Sequence, residues 1–329
     1  MARKLPKIEL HCHLDGSVRA STIIDIAKAE NIELPSYEEI EVKNMVEVSS
    51  NCTSLDEYLK KFEIPNKIMQ SKESLERITF ELLEDAANEN VKYIEVRFAP
   101  QLHTKGGLSF QEIIQSVING IKKAEYTYEI KGNVILSCVK FMSIESGLLV
   151  VEEGRKFLSE GVVAIDLAGA EEEGFANKFK CIIDKAREYG YRVTIHAGEA
   201  ASAQNVIDAI NLLGAERIGH GVRIQNMKEA YDLVKAKGIV LEMCPTSNIQ
   251  TKAVNDFNKY PLFDFYKDDI SVTFNTDNRT VSNIDLTNEI ELIFKNFKMN
   301  EKDYKNIYLK TIDATFADIE TKKWLKRFI

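Results

Sequence analysis

Cysteine and histidine are both scarce in this chain, with five of each in 329 residues. Cys12, Cys52, Cys138, Cys181 and Cys244 are odd in number and widely spaced, and no two form a Cys-x-x-Cys pair. That excludes a disulfide framework, a thiolate zinc knuckle and a thioredoxin-like redox pair, leaving buried or reduced thiols. No apolar run approaches the roughly 18 residues of a membrane span, and no apolar segment follows the basic residues Arg3, Lys4 and Lys7 as it would in a signal peptide. A soluble, cytoplasmic protein is expected, with no membrane partner. Basic blocks are missing too: the formal charge is −8 with both signs mixed along the chain, so nothing marks nucleic acid as a partner. No repeat, linker or low-complexity tract divides the sequence. With 44% apolar residues, 1–329 reads as one domain with a large core, and disorder is excluded.

What is present is alternation. Short β-rich runs fall at 7–13, 91–99, 134–140, 162–168, 191–196, 217–220, 239–243 and 271–276. Between them the apolar period lengthens. Phe110, Ile113, Ile114, Val117, Ile118 and Ile121 form a helical stripe, and Phe175, Phe179, Ile182, Ile183 and Ala186 repeat it. Strands that alternate with helices return to the same direction only through crossovers, so the sheet is parallel, and eight such units can close into a (β/α)8 TIM barrel. An open doubly wound sheet is the alternative, but the Gly-x-Gly-x-x-Gly turn expected after its first strand is absent. Residues 20–90 form a mostly helical insertion after the first strand. Leu55, Tyr58, Leu59 and Phe62 give it an apolar face, so it either covers the barrel mouth as a lid or packs outside. Another helix is expected at 284–297, with extra helices beyond.

The chemistry-bearing residues collect at strand ends. His11 and His13 end the first strand on one face, with Cys12 turned away. Taken alone, a His-x-His pair is more often packed than ligating. However, His196 ends the fifth strand, His220 the sixth and Asp277 the eighth, and all eight ends open onto one rim of a barrel. His11, His13, His196 and Asp277 form an N/O donor set suited to zinc, which would bring a water's pKa toward neutrality. Glu199, three residues beyond His196, would project over that site as a general acid kept protonated by desolvation; the alternative is a charge at a helix N-terminus. Gly169, Gly198, Gly219 and Gly221 cluster beside these positions, where turns or close backbone approach would use them. His103 has no such company and is expected to be structural or exposed.

Seven motifs occur in order: Tyr93-Ile94-Glu95-Val96-Arg97, His11-x-His13-Leu14-Asp15-Gly16 ahead of it, then Asp166-Leu167-Ala168-Gly169, His196-Ala197-Gly198-Glu199-Ala200, Ile218-Gly219-His220-Gly221-Val222-Arg223, Cys244-Pro245-Thr246-Ser247-Asn248 and Asn275-Thr276-Asp277. Together with the helical pattern at 54–62 they resemble the adenosine deaminase family of the metal-dependent amidohydrolase superfamily. The resemblance implies one zinc ion in a barrel that hydrolyses adenosine, and 2′-deoxyadenosine, to inosine and ammonia in purine metabolism. By position it makes His11, His13, His196 and Asp277 ligands, with Asp277 also touching the water. Glu199 would protonate purine N1, and His220 would orient the hydroxide and assist proton transfer. The Gly169 N–H would meet N3, and Asp15 and His13 would lie near the ribose 5′-hydroxyl. The only partner implied is a small purine nucleoside, with no obligate protein partner.

Many members of that family carry two consecutive aspartates where this chain has Asp277 and Asn278. Purine N7 is an acceptor, so an Asn amide donates to it without needing an extra proton, and Asn278 is expected to keep the contact; the alternative is a turn residue. The fourth strand ends without the lysine used by the binuclear branches, which favours a single metal. The His-x-Glu…Pro-Cys-x-x-Cys signature of cytidine-type deaminases is missing. The rivals are an adenine deaminase, a deaminase of a modified adenosine, and a barrel that binds nucleosides without turnover. Ile218 ahead of Gly219-His220 leans toward the nucleoside.

Overall fold

The computed structural model describes residues 2–49, 52 and 54–329. Strands β1 (Lys7–His13), β2 (Val91–Phe98), β3 (Lys131–Val139), β4 (Val162–Ala168), β5 (Arg192–Ala197), β6 (Arg217–His220), β7 (Val240–Met243) and β8 (Val272–Phe274) pair in parallel, each with its neighbour in sequence. Closure comes from a bridge between Cys12 and Asp277: the His13 N–H donates to the Asp277 carbonyl at 2.7 Å, and the Asp277 N–H to the His11 carbonyl at 2.9 Å. The architecture is the expected (β/α)8 TIM barrel.

Two strands, β3 and β8, differ by more than one residue at an end from the pattern read in the sequence. β3 starts at Lys131 rather than 134, because Lys131, Gly132 and Asn133 are half-buried and mostly polar, so no apolar alternation marks them. β8 stops at Phe274 rather than 276. Beyond it, side chains replace the ladder: the Leu10 N–H donates to Asn275 Oδ1 and the Thr276 N–H to Glu9 Oε1, both at 3.0 Å. Asp277 therefore stands three residues past the strand.

The connecting helices are α1 (Ala20–Ala29), α2 (Glu39–Val46), α3 (Leu55–Leu59), α4 (Glu63–Ile68), α5 (Lys72–Asn88), α6 (Phe110–Thr127), α7 (Ile144–Gly154), α8 (Phe175–Glu188), α9 (Gln204–Asn211), α10 (Lys228–Lys237), α11 (Pro245–Gln250), α12 (Leu262–Lys267), α13 (Leu286–Phe297), α14 (Glu301–Ala314) and α15 (Ile319–Leu325). α6 begins at a reciprocal cap between Ser109 and Glu112, then buries Ile113, Ile114, Val117, Ile118 and Ile121 against the barrel. Each such aliphatic side chain contributes about 1.5–3 kcal/mol over its exposed state. The insertion divides. α5 lies alongside α6 in the outer ring, whereas α3, a short 3₁₀ turn at Lys60–Phe62, and α4 cross the mouth. Residues 50, 51 and 53 of the insertion lie outside the described residues.

The barrel interior is charged. Glu242 accepts from Arg97 and Arg217 Nε, both at 2.7 Å, and Arg217 reaches Glu95 at 2.5 Å, with all four side chains essentially inaccessible. Below them, Arg217 donates to the Ala314 carbonyl and the Phe316 N–H to Glu95, so the segment after α14 seals the floor.

Candidate active site

The rim above this network gathers His11, His13, His196, His220 and Asp277, all from β1, β5, β6 or the segment past β8. His11 Nδ1 lies 2.9 Å from Glu242 Oε2, and His196 Nδ1 lies 2.9 Å from Asp166 Oδ1. A carboxylate only accepts, so both rings carry their proton on Nδ1 and turn an Nε2 lone pair inward. Burial would raise these two acids, but Arg97 and Arg217 at Glu242, and His196 and Arg97 at Asp166, hold both below the usual carboxylate range. Burial holds His196 at about 4, so it is neutral at pH 7.

His11 Nε2 is buried and makes no hydrogen bond, although Asp277 Oδ1 lies 3.3 Å away. His13 Nε2 sits 3.1 Å from His196 Nε2 and 3.4 Å from Asp277 Oδ1. Four donors about 2.0–2.1 Å from one tetrahedral ion would be separated by about 3.4 Å, close to these three spacings, and the buried group of His11, His196, His220 and Asp277, all within 4.8 Å of one another, could hold a metal ion. The tautomer of His220 argues against its ligation. Tyr260 donates to Asn248 Oδ1 at 2.9 Å, which leaves Asn248 Nδ2 to donate to His220 Nδ1 at 3.0 Å. His220 therefore keeps its proton on Nε2 and presents a donor, not a lone pair.

Glu199 is buried beside it. Its Oε1 accepts from Thr251 Oγ1 at 3.1 Å and Asn248 Nδ2 at 3.3 Å, and Oε2 lies 3.6 Å from His220 Nε2. Burial raises its pKa, as a proton donor requires. Asp277 Oδ2 accepts from Ser247 at 2.6 Å. Asp277 and His220 both hold left-handed backbone, with φ of 63° and 66°, a conformation that folded surroundings must enforce. Glycine is required where neighbours approach closely: a Cβ on Gly219 would stand 2.8 Å from His11 Cε1, and one on Gly16 only 1.9 Å from Asn278 Oδ1.

A cavity of about 750 Å³ rises from this floor, lined by His13, Asp15, Gly169, Glu199, His220, Asp277 and Asn278 among others. Of the residues given roles by the resemblance, all but His11 line it, and His11 is buried against the rings of His13, His196 and His220. Leu55, Tyr58, Leu59 and Phe62 of the insertion form its roof. Asp15 is buried, which pushes it up to about 6, and Asn66 of α4 stands 3.5 Å away. Asn278 packs its side chain against Gly16. His103 proves structural: it is buried against Phe98, away from the site. All five cysteines are free, and Cys12 contacts Ser17 and Thr276 rather than the cluster. Reading the sequence missed Glu242 and Thr251, and it placed Asp166, Ser247 and Asn248 in motifs without assigning their contacts to His196, Asp277, His220 and Glu199. A charge at an inward position of β7 was the one available signal for Glu242.

A barrel mouth with converging imidazole lone pairs, a buried acid and a proton-bearing histidine defines a hydrolytic TIM barrel whose His/Asp group can hold a metal ion. The model of the family described as "Adenosine deaminase" matches residues 6–329. An adenosine deaminase of Clostridium botulinum (strain 657 / Type Ba4) is 59% identical over 327 residues, covering 99% of each chain. Among solved structures, an adenine deaminase from Arthrobacter aurescens superposes with a TM-score of 0.91 at 25% identity, covering 98% of each chain. A zinc-bound amidohydrolase from Burkholderia ambifaria gives 0.89 at 25% identity, covering 99% of this chain and 91% of that one. The chain belongs to the adenosine deaminase family, hydrolases acting on C–N bonds. No helix among the described residues is long and apolar enough to cross a membrane.

Proposed function

We propose that the chain hydrolyses adenosine and 2′-deoxyadenosine to inosine and ammonia, with one zinc ion held by His11, His13, His196 and Asp277. The observation that carries it is the cavity floor, where an inward-facing donor set stands beside a buried Glu199, whose pKa burial raises, and a His220 that offers Nε2–H. When bound, zinc lowers the pKa of a water so that a nucleophile is available near neutral pH. The protein supplies the rest. Glu199 gives its proton to purine N1, making C6 electrophilic, while Asn248 and Thr251 hold its other oxygen. His220 donates from Nε2 to orient the attacking oxygen and steady charge as C6 becomes tetrahedral. Ser247 holds Asp277 Oδ2, so Oδ1 faces the donor set, where Asp277 would bind the ion and touch the attacking oxygen.

In this pose the Gly169 N–H meets N3, the Asn278 amide donates to N7, and Asp15 with His13 receives the ribose 5′-hydroxyl. The apolar roof of α3 and α4 excludes water, and we assign it the role of a lid. A cavity of about 750 Å³ leaves room beyond a free purine, in keeping with a nucleoside. Free thiols, four of them buried, suit a reducing cytoplasm. The test is an absorbance assay of zinc-loaded enzyme on adenosine and on adenine, before and after chelation. Adenosine turnover that chelation abolishes and zinc restores is expected. Preferential turnover of adenine would replace the nucleoside with the free base, and binding without turnover of either would leave only a nucleoside binder.

A further inference from the structure

The loop that carries Glu199 is gripped by a carboxylate from another loop. After β4, Glu171 reaches across to β5, where its Oε1 accepts from the Gly198 N–H at 2.7 Å. Its Oε2 accepts from the N–H groups of Glu199, Ala200 and Ala201 at 2.9, 2.8 and 3.0 Å. Successive amides pointing to one centre form an anion-binding nest, and here the chain supplies the anion itself. Asn205, fully buried at the start of α9, donates to Glu171 Oε1 at 2.9 Å and to the Glu172 carbonyl at 3.0 Å, while accepting from the Gly174 N–H at 2.9 Å. Arg223 donates to the Glu199 carbonyl at 3.1 Å. The peptide on each side of Glu199 is thus held by a side chain from a different loop.

We propose that Glu171 is a positioning residue for the deamination step: it fixes the main chain under Glu199 so that the acid meets purine N1 in line with His220. The inference rests on Glu199 being the proton donor. The side-chain contacts of Glu199 come from α11, from Thr251 just after it and from β6, at 3.1 to 3.6 Å, so they orient the carboxyl without locating its Cα. Glu171 supplies that location. It remains an anion: burial would raise its pKa, but the Lys140 charge and the amides outweigh it and lower it. Glu171→Gln keeps the shape but turns an NH₂ toward inward-pointing N–H groups at one of the two oxygen positions, and a displacement near 1 Å at a reacting group can cost on the order of 100-fold in rate.

The experiment compares zinc-loaded E171Q, E171D and E199Q with the unaltered enzyme, measuring kcat and KM for adenosine, the inhibition constant of inosine, and Tm. The expected result is that E171Q lowers kcat by about 30-fold or more, while KM and inosine affinity stay within about threefold. E171D, which keeps the charge, should recover part of the loss. The proposal is overturned if E199Q is inactive while E171Q keeps kcat within about twofold, or if kcat, inosine affinity and Tm collapse together, which would mark a purely structural role. Full activity in E199Q would instead sink the proton-donor assignment, and the role of Glu171 with it.

Discussion

At the scale of residues, function turns on which nitrogen of each imidazole bears the proton. His11 and His196 are set by Glu242 and Asp166 to present lone pairs, whereas Asn248, oriented by Tyr260, sets His220 the other way. His13→Ala should therefore lose zinc, measured by metal analysis after gel filtration, while His220→Ala should retain about one ion per chain and lose at least about 100-fold in kcat. Zinc loss in His220→Ala with retention in His13→Ala would exchange the two roles. Asn278 allows a narrower test. Replacing it with Ala removes one donor worth about 1–1.5 kcal/mol, so kcat/KM for adenosine should fall about tenfold. Turnover of 7-deazaadenosine, which has no N7 acceptor, should not change. Equal losses on both substrates would show that Asn278 acts on the backbone turn instead.

Among the elements, the short helix α11 carries Ser247 and Asn248, with Thr251 just beyond, so its docking sets three contacts of the site. Its first turn is capped from α13, where buried Glu289 accepts from the Thr246 N–H at 2.8 Å and from the Thr246 hydroxyl. Burial pushes Glu289 up to about 7. The folded state thus keeps a proton that the unfolded chain releases near 4.5, so stability falls as pH rises from about 4.5 through 7, by a total of about 3 kcal/mol. Glu289→Gln keeps an acceptor for the N–H and a donor for the hydroxyl while removing the titration. It should melt higher than the unaltered protein at pH 8, with the gap closing by pH 5; a gap independent of pH would refute the linkage. None of this docking shows in the sequence: Ser247 and Asn248 stand there in a family motif without a role, and Thr251 and Glu289 look like ordinary polar helix residues. The stripes of α6 and α8 were legible because burial on one face leaves a period that a polar contact does not.

For the whole molecule, the proposed ligands come from β1, β5 and the segment past β8, so one ion would tie opposite walls of the barrel together, including the Cys12–Asp277 closure. An ion bound at about 1,000 times its dissociation constant adds about 4 kcal/mol. Chelation should therefore lower Tm by several degrees, and zinc should restore it, in a thermal melt with and without a chelator. An unchanged Tm would mean that the ion binds elsewhere or weakly. The sequence by itself determined the eight alternating units, the histidines at their ends and the apolar face of the insertion, because alternation, helical period and strand-end position are local properties of the chain. Tertiary structure alone decided the tautomers, the Glu171 clamp, the charged barrel interior and the early end of β8. Each of these depends on polar partners separated in sequence, by 27 positions between Glu171 and Gly198 and by as many as 267 between Glu9 and Thr276. Hydrogen bonds are directional but carry no sequence period, so only the closed barrel brings such partners within reach.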